Sequence, residues 1–529
     1  MSVLWLIACI NVVVEPAEWP DETGGEVTTP TDPLPTDTDT VTDPPTTDTD
    51  EPSADPCAES ELVSVESLIS APGRMVNQLE LTATTSVSVA VAAKCVSTSD
   101  TTEAHLLEDL GGTDHVFQFS GLLPNTDYTC TVAPICPRSA DALPSVSASI
   151  GASPQALAPV TVWIDPVLGM TGDYTLFNTK PGGACSGQGG FAQLVDPDGK
   201  PRFWNAMPQI GIDVEVRYQG DDTFVFGGGY SNEGRPRIVE LWEGETYASD
   251  LLPDELSTTF HHDGKMLDDG RIVTLETQET YNGPSVFEGF AVRAHDPVTG
   301  TLSWEYVAQT GVDAGELPIY NGDWDEWHAN WVDVKVENGI DFVYVSLCFY
   351  GWVLKIDPVA GHIEWILGDG GDFSLVDAGG APLDPFEFSQ CQHGLEVEGD
   401  HVLFYDNGWD RGFSRASEYE LDTATMTARL LWTWEDGWWE TTLGDADYLD
   451  NGRILVDKAH PDCWSWGSPS EIVEFDPLSG LAASRVTFLD ITDATYRAER
   501  LDGCELFANA KYCEALATRI DELAPAFKE

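Results

Sequence analysis

The sequence predicts an all-β protein, a six-bladed β-propeller with a small N-terminal β-sandwich. Three observations carry this. After residue 155 a hairpin recurs six times at spacings of about 45–65 residues, its first strand ending in Asp or a turn and its second often in Trp. A further alternating strand runs ahead of these hairpins, as in Phe224-Val-Phe, Arg271-Ile-Val-Thr-Leu, Phe342-Val-Tyr-Val-Ser, Val402-Leu-Phe-Tyr and Arg453-Ile-Leu-Val. Residues 57–150 instead hold short alternating strands without that hairpin, for example Leu79-Glu-Leu-Thr-Ala and Val87-Ser-Val-Ala-Val-Ala. Four-strand units at such a period are propeller blades, and an array of sandwiches fits the period less well.

Taken in order, the chain opens on a targeting segment, residues 1–9. Leu4 to Ile7 is apolar, and Leu6-Ile7-Ala8-Cys9 resembles a bacterial lipobox with Cys9 as the lipidated residue. The leader has no Lys or Arg and is shorter than an ordinary signal peptide, so the true start is expected upstream. Residues 10–56 read as a disordered Thr/Asp/Pro-rich linker, a stalk with runs such as Thr36-Asp-Thr-Asp-Thr40. Like charges and prolines keep such a segment extended, and it has nothing with which to build a core.

Charge excludes one class of partner. The formal net charge is −65, and residues 1–56 account for 13 acidic groups with no Lys or Arg. The rest of the chain still carries 77 acidic against 25 basic side chains. Such a surface repels phosphate backbones, so no nucleic acid is expected as a partner. Of the eleven cysteines, ten remain once Cys9 is set aside, an even number with no Cys-x-x-Cys pair. That suits disulfides in a protein secreted or held on the cell envelope, and it does not support a zinc ribbon. No other stretch is long and apolar enough to span a bilayer, so a membrane is expected to be met only through the lipid anchor.

Residues 57–150 form the sandwich. Within it Leu122-Leu-Pro-Asn-Thr-Asp-Tyr128 resembles the tyrosine corner of fibronectin type III domains, where the hydroxyl pins the start of a strand. Residues 155–529 form the propeller. Its hairpins begin at Gln193-Leu-Val-Asp, Ile238-Val-Glu-Leu, Val292-Arg-Ala-His-Asp, Leu354-Lys-Ile-Asp, Tyr419-Glu-Leu-Asp and Val473-Glu-Phe-Asp.

Function in a propeller gathers where the inner strands converge. His261 and His262 precede Asp263-Gly-Lys-Met-Leu-Asp-Asp-Gly-Arg, His328 lies in Trp-His-Ala-Asn, and His393 lies in Gln-Cys-Gln-His-Gly. Three successive blades thus offer His at what reads as an equivalent position. His328 and Asn330, two apart on a strand, face one space.

These motifs, with Lys-Ile-Asp…Gly-x-Ile-x-Trp-Ile-Leu-Gly, Phe-Tyr-Asp-Asn-Gly and Ser414-Arg-Ala-Ser-Glu-Tyr-Glu-Leu-Asp, resemble in order and spacing the bacterial arylsulfotransferases over roughly 160–500. The resemblance implies a six-bladed propeller that moves a sulfuryl group from a phenolic sulfate ester to a phenol. No nucleotide donor (PAPS) is expected, and the intermediate is a sulfohistidine. It makes His393 the nucleophile, with His328, Asn330 and one of His261 or His262 holding sulfate oxygens or relaying protons. A neutral imidazole is a competent nucleophile at pH 7, and nearby donors stabilise charge growing on oxygen.

The chain departs from the family at one position. Where the resemblance implies a sulfate-clamping Arg, this sequence has Cys348, whose uncharged side chain cannot fill that role. Arg411, Arg415 and Lys458 are the candidate substitutes. Two other functions stay open: a metal held by the histidines with Cys348 or Cys391 as a soft ligand, and a non-catalytic cell-surface binding propeller. A disulfide between Cys348 and Cys391 is the further expectation, fixing the His393 loop where the Arg is missing.

Overall fold

The computed structural model describes residues 63–135, 143–179, 190–207, 215–218, 223–227, 237–242, 244–248, 260–296, 299–319, 325–384, 387–459, 469–490 and 493–527. The leader with Cys9, the linker, and Cys57, Cys136, Cys185 and Cys463 lie outside them, as does the side chain of His261.

Alternation writes the sandwich. Leu79, Leu81 and Ala83 point inward from one strand, and Phe117 and Phe119 from its neighbour. A three-stranded sheet (Val65–Pro72, Leu79–Thr85, Asp114–Phe119) faces a four-stranded one (Ala104–Asp109, Val91–Ser97, Asp127–Pro134, Ser145–Ser149). A Cys95–Cys130 disulfide joins two adjacent strands of the second sheet. Buried Tyr128 accepts a hydrogen bond from the Leu123 N–H at 2.9 Å, which fixes the turn before its strand.

Six sheets of four or five strands follow among the described residues, antiparallel except where Ser374–Val376 runs parallel to Thr427–Trp434. In every one, the hairpin read from the sequence supplies the third and fourth strands, for example Trp352–Asp357 with His362–Leu367. The first strands lie side by side in succession: Phe260–Met266 packs on Ala329–Glu337, that on Gln392–Glu398, and that on Asp445–Tyr448. Apolar side chains fill the space between sheets. Trp331, Tyr344 and Val353 meet Leu395, Val402 and Phe404, and none of them is more than 2% exposed. At about 25 cal/mol per Å² of buried apolar surface, such seams dominate the stability of the molecule.

Distant parts of the chain close the arrangement. Ala498–Leu501 is an edge strand of the sheet built from Tyr174–Thr179, Gly190–Val195 and Pro201–Met207. Val160–Ile164 joins the outer edge of the sheet that begins at Asp445.

The segment after residue 501 contains helix Glu514–Leu523 and a Cys504–Cys513 disulfide, and it folds back on the sandwich. Beneath it lies a buried ion cluster. Arg202 donates to Glu103 at 2.5 and 2.9 Å and to Asp196 at 2.8 Å, while His105 and Asn509 also reach Glu103. Burial alone would raise the Glu103 carboxyl, but Arg202 and His105 hold it far below the usual range. Losing one partner of such a cluster typically costs about 3–5 kcal/mol, so it fixes the sandwich on the first sheet.

Candidate active site

Three residues with side chains take the left-handed backbone conformation at the start of successive first strands: His262 (φ 59°), His328 (φ 50°) and Cys391 (φ 62°). Each costs of order 1–3 kcal/mol, a strain that clusters where a chain is held for function. The register shows what is equivalent to what. His328 O accepts from the Cys348 N–H just as Cys391 O accepts from the Asn407 N–H, and Ala329 pairs with Leu347 as Gln392 pairs with Asp406. Cys391 therefore stands where His328 stands, and His393 stands where Asn330 does. This corrects the reading of three histidines at one equivalent position: His393 is two residues further along its strand. Sequence spacing hid this because irregular pairing, as between His393 and Glu396, interrupts the first strands.

His393 is buried and held in one tautomer. Its Nδ1 lies 2.7 Å from Asn407 Oδ1, while Asn407 Nδ2 donates to Glu440 O at 3.0 Å and Leu443 O at 2.7 Å. With its amide nitrogen so occupied, Asn407 presents oxygen to the ring, so Nδ1 carries the proton and Nε2 the lone pair. That Nε2 is buried and makes no hydrogen bond. Burial lowers the His393 pKa to about 3, with the positive charges of His328 and Arg497 acting in the same sense against the Asn407 hydrogen bond. The imidazole is thus neutral at pH 7. Burial also pushes the Glu440 carboxyl up to about 8, so it is mostly protonated at pH 7. The next residue, Gly394, has φ 59°, and a Cβ there would come within 2.5 Å of the Ala446 nitrogen. Only glycine lets the neighbouring strand approach so closely.

Asn330 is wholly buried. Its Nδ2 donates to Gln392 O at 2.8 Å, and its Oδ1 has no hydrogen-bond partner. One of its two amide N–H groups is spent on Gln392 O, which leaves the second N–H and Oδ1. His262 and His328 meet through their Nε2 atoms at 3.3 Å, and His328 Nδ1 bonds Asp325 Oδ2 at 2.5 Å. The pair can hold and pass a proton. Tyr496 ties the two halves together: its ring centroid lies 6.0 Å from that of His393 and 6.3 Å from that of His262. Beyond His328 the wall becomes aromatic. Phe349 stacks on His328 at 4.9 Å and meets Trp409 at 5.6 Å, and both Phe349 and Trp409 are substantially exposed.

Cys348 and Cys391 are joined by a disulfide with Cα atoms 3.8 Å apart, so neither offers a thiolate. The bond ties the turn carrying Phe349 to the strand carrying His393. Each of the three candidate cations makes an ion pair, while Arg411 Nε and Nη1 are buried without a hydrogen bond. Arg411 and Arg415 pair with Asp406, Arg415 also donates to the Phe388 carbonyl, and Lys458 pairs with Asp436 and Glu471 at 2.6 and 2.9 Å. Among the described residues, the side chains grouped as metal ligands would be are Asp357, His362 and Glu364, which include none of the site histidines. Sequence reading missed Asp325, Phe349, Asn407, Tyr496 and Arg497. Asn407 stood within a quoted motif; Tyr496 and Arg497 carry no repeat signal.

No curated protein sequence matches the chain. Solved structures resemble it only distantly. A periplasmic gluconolactonase of Pseudomonas aeruginosa is 14% identical, with 62% of this chain and 98% of that one covered and a TM-score of 0.35. A putative 6-phosphogluconolactonase of Bacteroides fragilis is 11% identical over 78% of this chain and 96% of its own, at a TM-score of 0.32. Residues 189–497, more than half of the chain, match the family described as Arylsulfotransferase (ASST), and they span every site residue named above. The chain belongs to the arylsulfotransferase (ASST) family.

Proposed function

We propose that this protein transfers a sulfuryl group from an aryl sulfate to a phenol through a covalent sulfo-His393. In this reading the six sheets are the blades of a six-bladed propeller, and the sandwich is a fibronectin type III-like module that carries it. The observation that carries the mechanism is the His393 ring itself: neutral, oriented through Nδ1 by Asn407, with a buried Nε2 that makes no hydrogen bond. That is the state a nucleophilic imidazole needs.

In the first half-reaction Nε2 attacks sulfur, and the bond from sulfur to the aryl oxygen breaks. The electron pair leaves on the phenolate, which takes a proton from the His262–His328 couple, with Asp325 supporting the charged ring. In the second half the acceptor phenol returns a proton to that couple. Its oxygen then displaces the imidazole from sulfur. The aryl ester is itself the donor, so no nucleotide enters, and ping-pong kinetics follow. Phe349 and Trp409 offer flat apolar faces to the aryl rings. Disulfides among the described residues suit an oxidising, extracytoplasmic compartment.

The test is incubation with 4-nitrophenyl sulfate and phenol. Nitrophenolate release and a sulfuryl mass gain on the His393 peptide are expected. His393→Ala abolishes both, whereas Asn330→Ala slows turnover by roughly 10²–10³-fold, the loss typical of one positioned polar group. Full activity in the His393 variant would remove the sulfohistidine mechanism.

A further inference from the structure

The sheet that begins at Ala329 ends in a hairpin that differs from its counterparts at the turn. The turn starts at Asp357, whose Oδ1 accepts from the Val359 and Ala360 N–H groups at 3.0 and 2.8 Å. Asp422 and Asp476 cap the equivalent turns in the same way. In those two the second oxygen, Oδ2, accepts at 2.7 Å from a hydroxyl three residues on, that of Thr425 or Ser479. Here that position is Ala360. Among the described residues Asp357 Oδ2 makes no hydrogen bond, although the residue is only 8% exposed. Five and seven residues after the Asp, the other two hairpins carry Thr427 and Arg429, or Leu481 and Ala483. This one carries His362 and Glu364.

We infer that Asp357, His362 and Glu364 form a binding site for a divalent transition-metal ion of the zinc class, separate from the candidate active site and independent of the sulfotransferase reading. One oxygen of each carboxylate and one imidazole nitrogen lie within 4.8 Å of one another. Asp357 and His362 pair across the hairpin. The pairing skips Glu364, since Lys355 meets Trp365 and Ile356 meets Ile363, and such a bulge re-aims a side chain. Glu364 Oε1 thus comes to 2.9 Å from His362 Nε2. Ile363, between the two, gives its N–H to Glu316 Oε2 at 2.9 Å, which pins the backbone carrying both ligands. One imidazole with two carboxylates suits zinc and its neighbours, whereas calcium and magnesium take oxygen ligands. A surface ion pair of His362 with Glu364 contributes little by itself and leaves Asp357 Oδ2 unmatched; an ion serves all three. The His362 and Glu364 side chains are 42% and 37% exposed, so the ion and its remaining waters enter from solvent. Trp352 pairs with Leu347, beside Cys348, and five residues at about 3.3 Å each set Asp357 roughly 17 Å along the strand from there.

The test is calorimetric titration of the EDTA-stripped full chain with zinc chloride in about 0.15 M salt, where diffuse attraction to the acidic surface is screened. Wild type is expected to show a saturable site. Ala360→Ser, which offers Oδ2 the hydroxyl of the other turns, weakens that site about tenfold, the cost of disturbing a ligand's own partners, and His362→Ala and Glu364→Gln weaken it further. Zinc raises the melting temperature of wild type and leaves that of His362→Ala where it was. His328→Ala keeps the site, which separates it from binding at the active-site histidines. The substituted side chains at 362 and 364 are more than a third exposed, so these variants fold. The absence of a saturable site in wild type, equal zinc affinity in His362→Ala, loss of the site in His328→Ala, or calcium binding as tight as zinc would each overturn the assignment.

Discussion

A single hydrogen bond decides what His393 is. Asn407 gives its two amide protons to the Glu440 and Leu443 carbonyls, so oxygen is all it has left to offer, and the imidazole must meet it with Nδ1–H. Replacing that neutral acceptor by a charged one tests the arrangement. In Asn407→Asp a carboxylate faces Nδ1, which favours the imidazolium and raises the His393 pKa from its value of about 3. Because the attacking species in the proposed mechanism is the neutral ring, activity is lost as pH falls through that pKa. The acid limb of kcat/KM against pH should therefore move upward by about one unit or more, with little change near pH 8. An unmoved limb would mean that Asn407 does not set the state of the nucleophile.

The strands around the site show why some of this was readable and some was not. Hairpins ending in Asp-Pro-x-x-Gly and Trp are local, so their period gives each sheet its third and fourth strands without any knowledge of contacts. The histidines were legible as residues but not as geometry. Irregular strand pairing shifts side chains by one or two places, so His393 came to share a level with Asn330 instead of His328. The link from Cys348 to Cys391 spans two sheets and secures both the turn under Phe349 and the strand of His393. Changing both cysteines to alanine should lower stability by roughly 2–4 kcal/mol. It should also reduce kcat by more than it alters the melting curve of the sandwich, since the stack on His328 loses its tether. Thermal unfolding and steady-state kinetics on the same preparation check this; unchanged kcat would make the bond purely structural.

At the scale of the whole molecule, charge works against the substrate. The chain carries a formal net charge of −65, and an aryl sulfate is an anion. Long-range repulsion must slow its approach. Raising salt from about 0.01 M to about 0.15 M shortens the screening length from roughly 30 Å to roughly 8 Å. kcat/KM for 4-nitrophenyl sulfate should rise severalfold over that range while kcat stays nearly constant, the opposite of an enzyme that draws its substrate in. A fall in kcat/KM would show that a local positive field outweighs the surface.

The site is also assembled from parts of the chain made at different times. His262, His328 and His393 lie on consecutive strands, but Tyr496 and Arg497 arrive with Ala498–Leu501, which pairs with Tyr174–Thr179 across most of the domain. A polypeptide still emerging from a ribosome or an export channel carries His393 long before it carries Tyr496, whose ring lies beside both His262 and His393. On the proposed mechanism the site is complete only when this last wall pairs with the first.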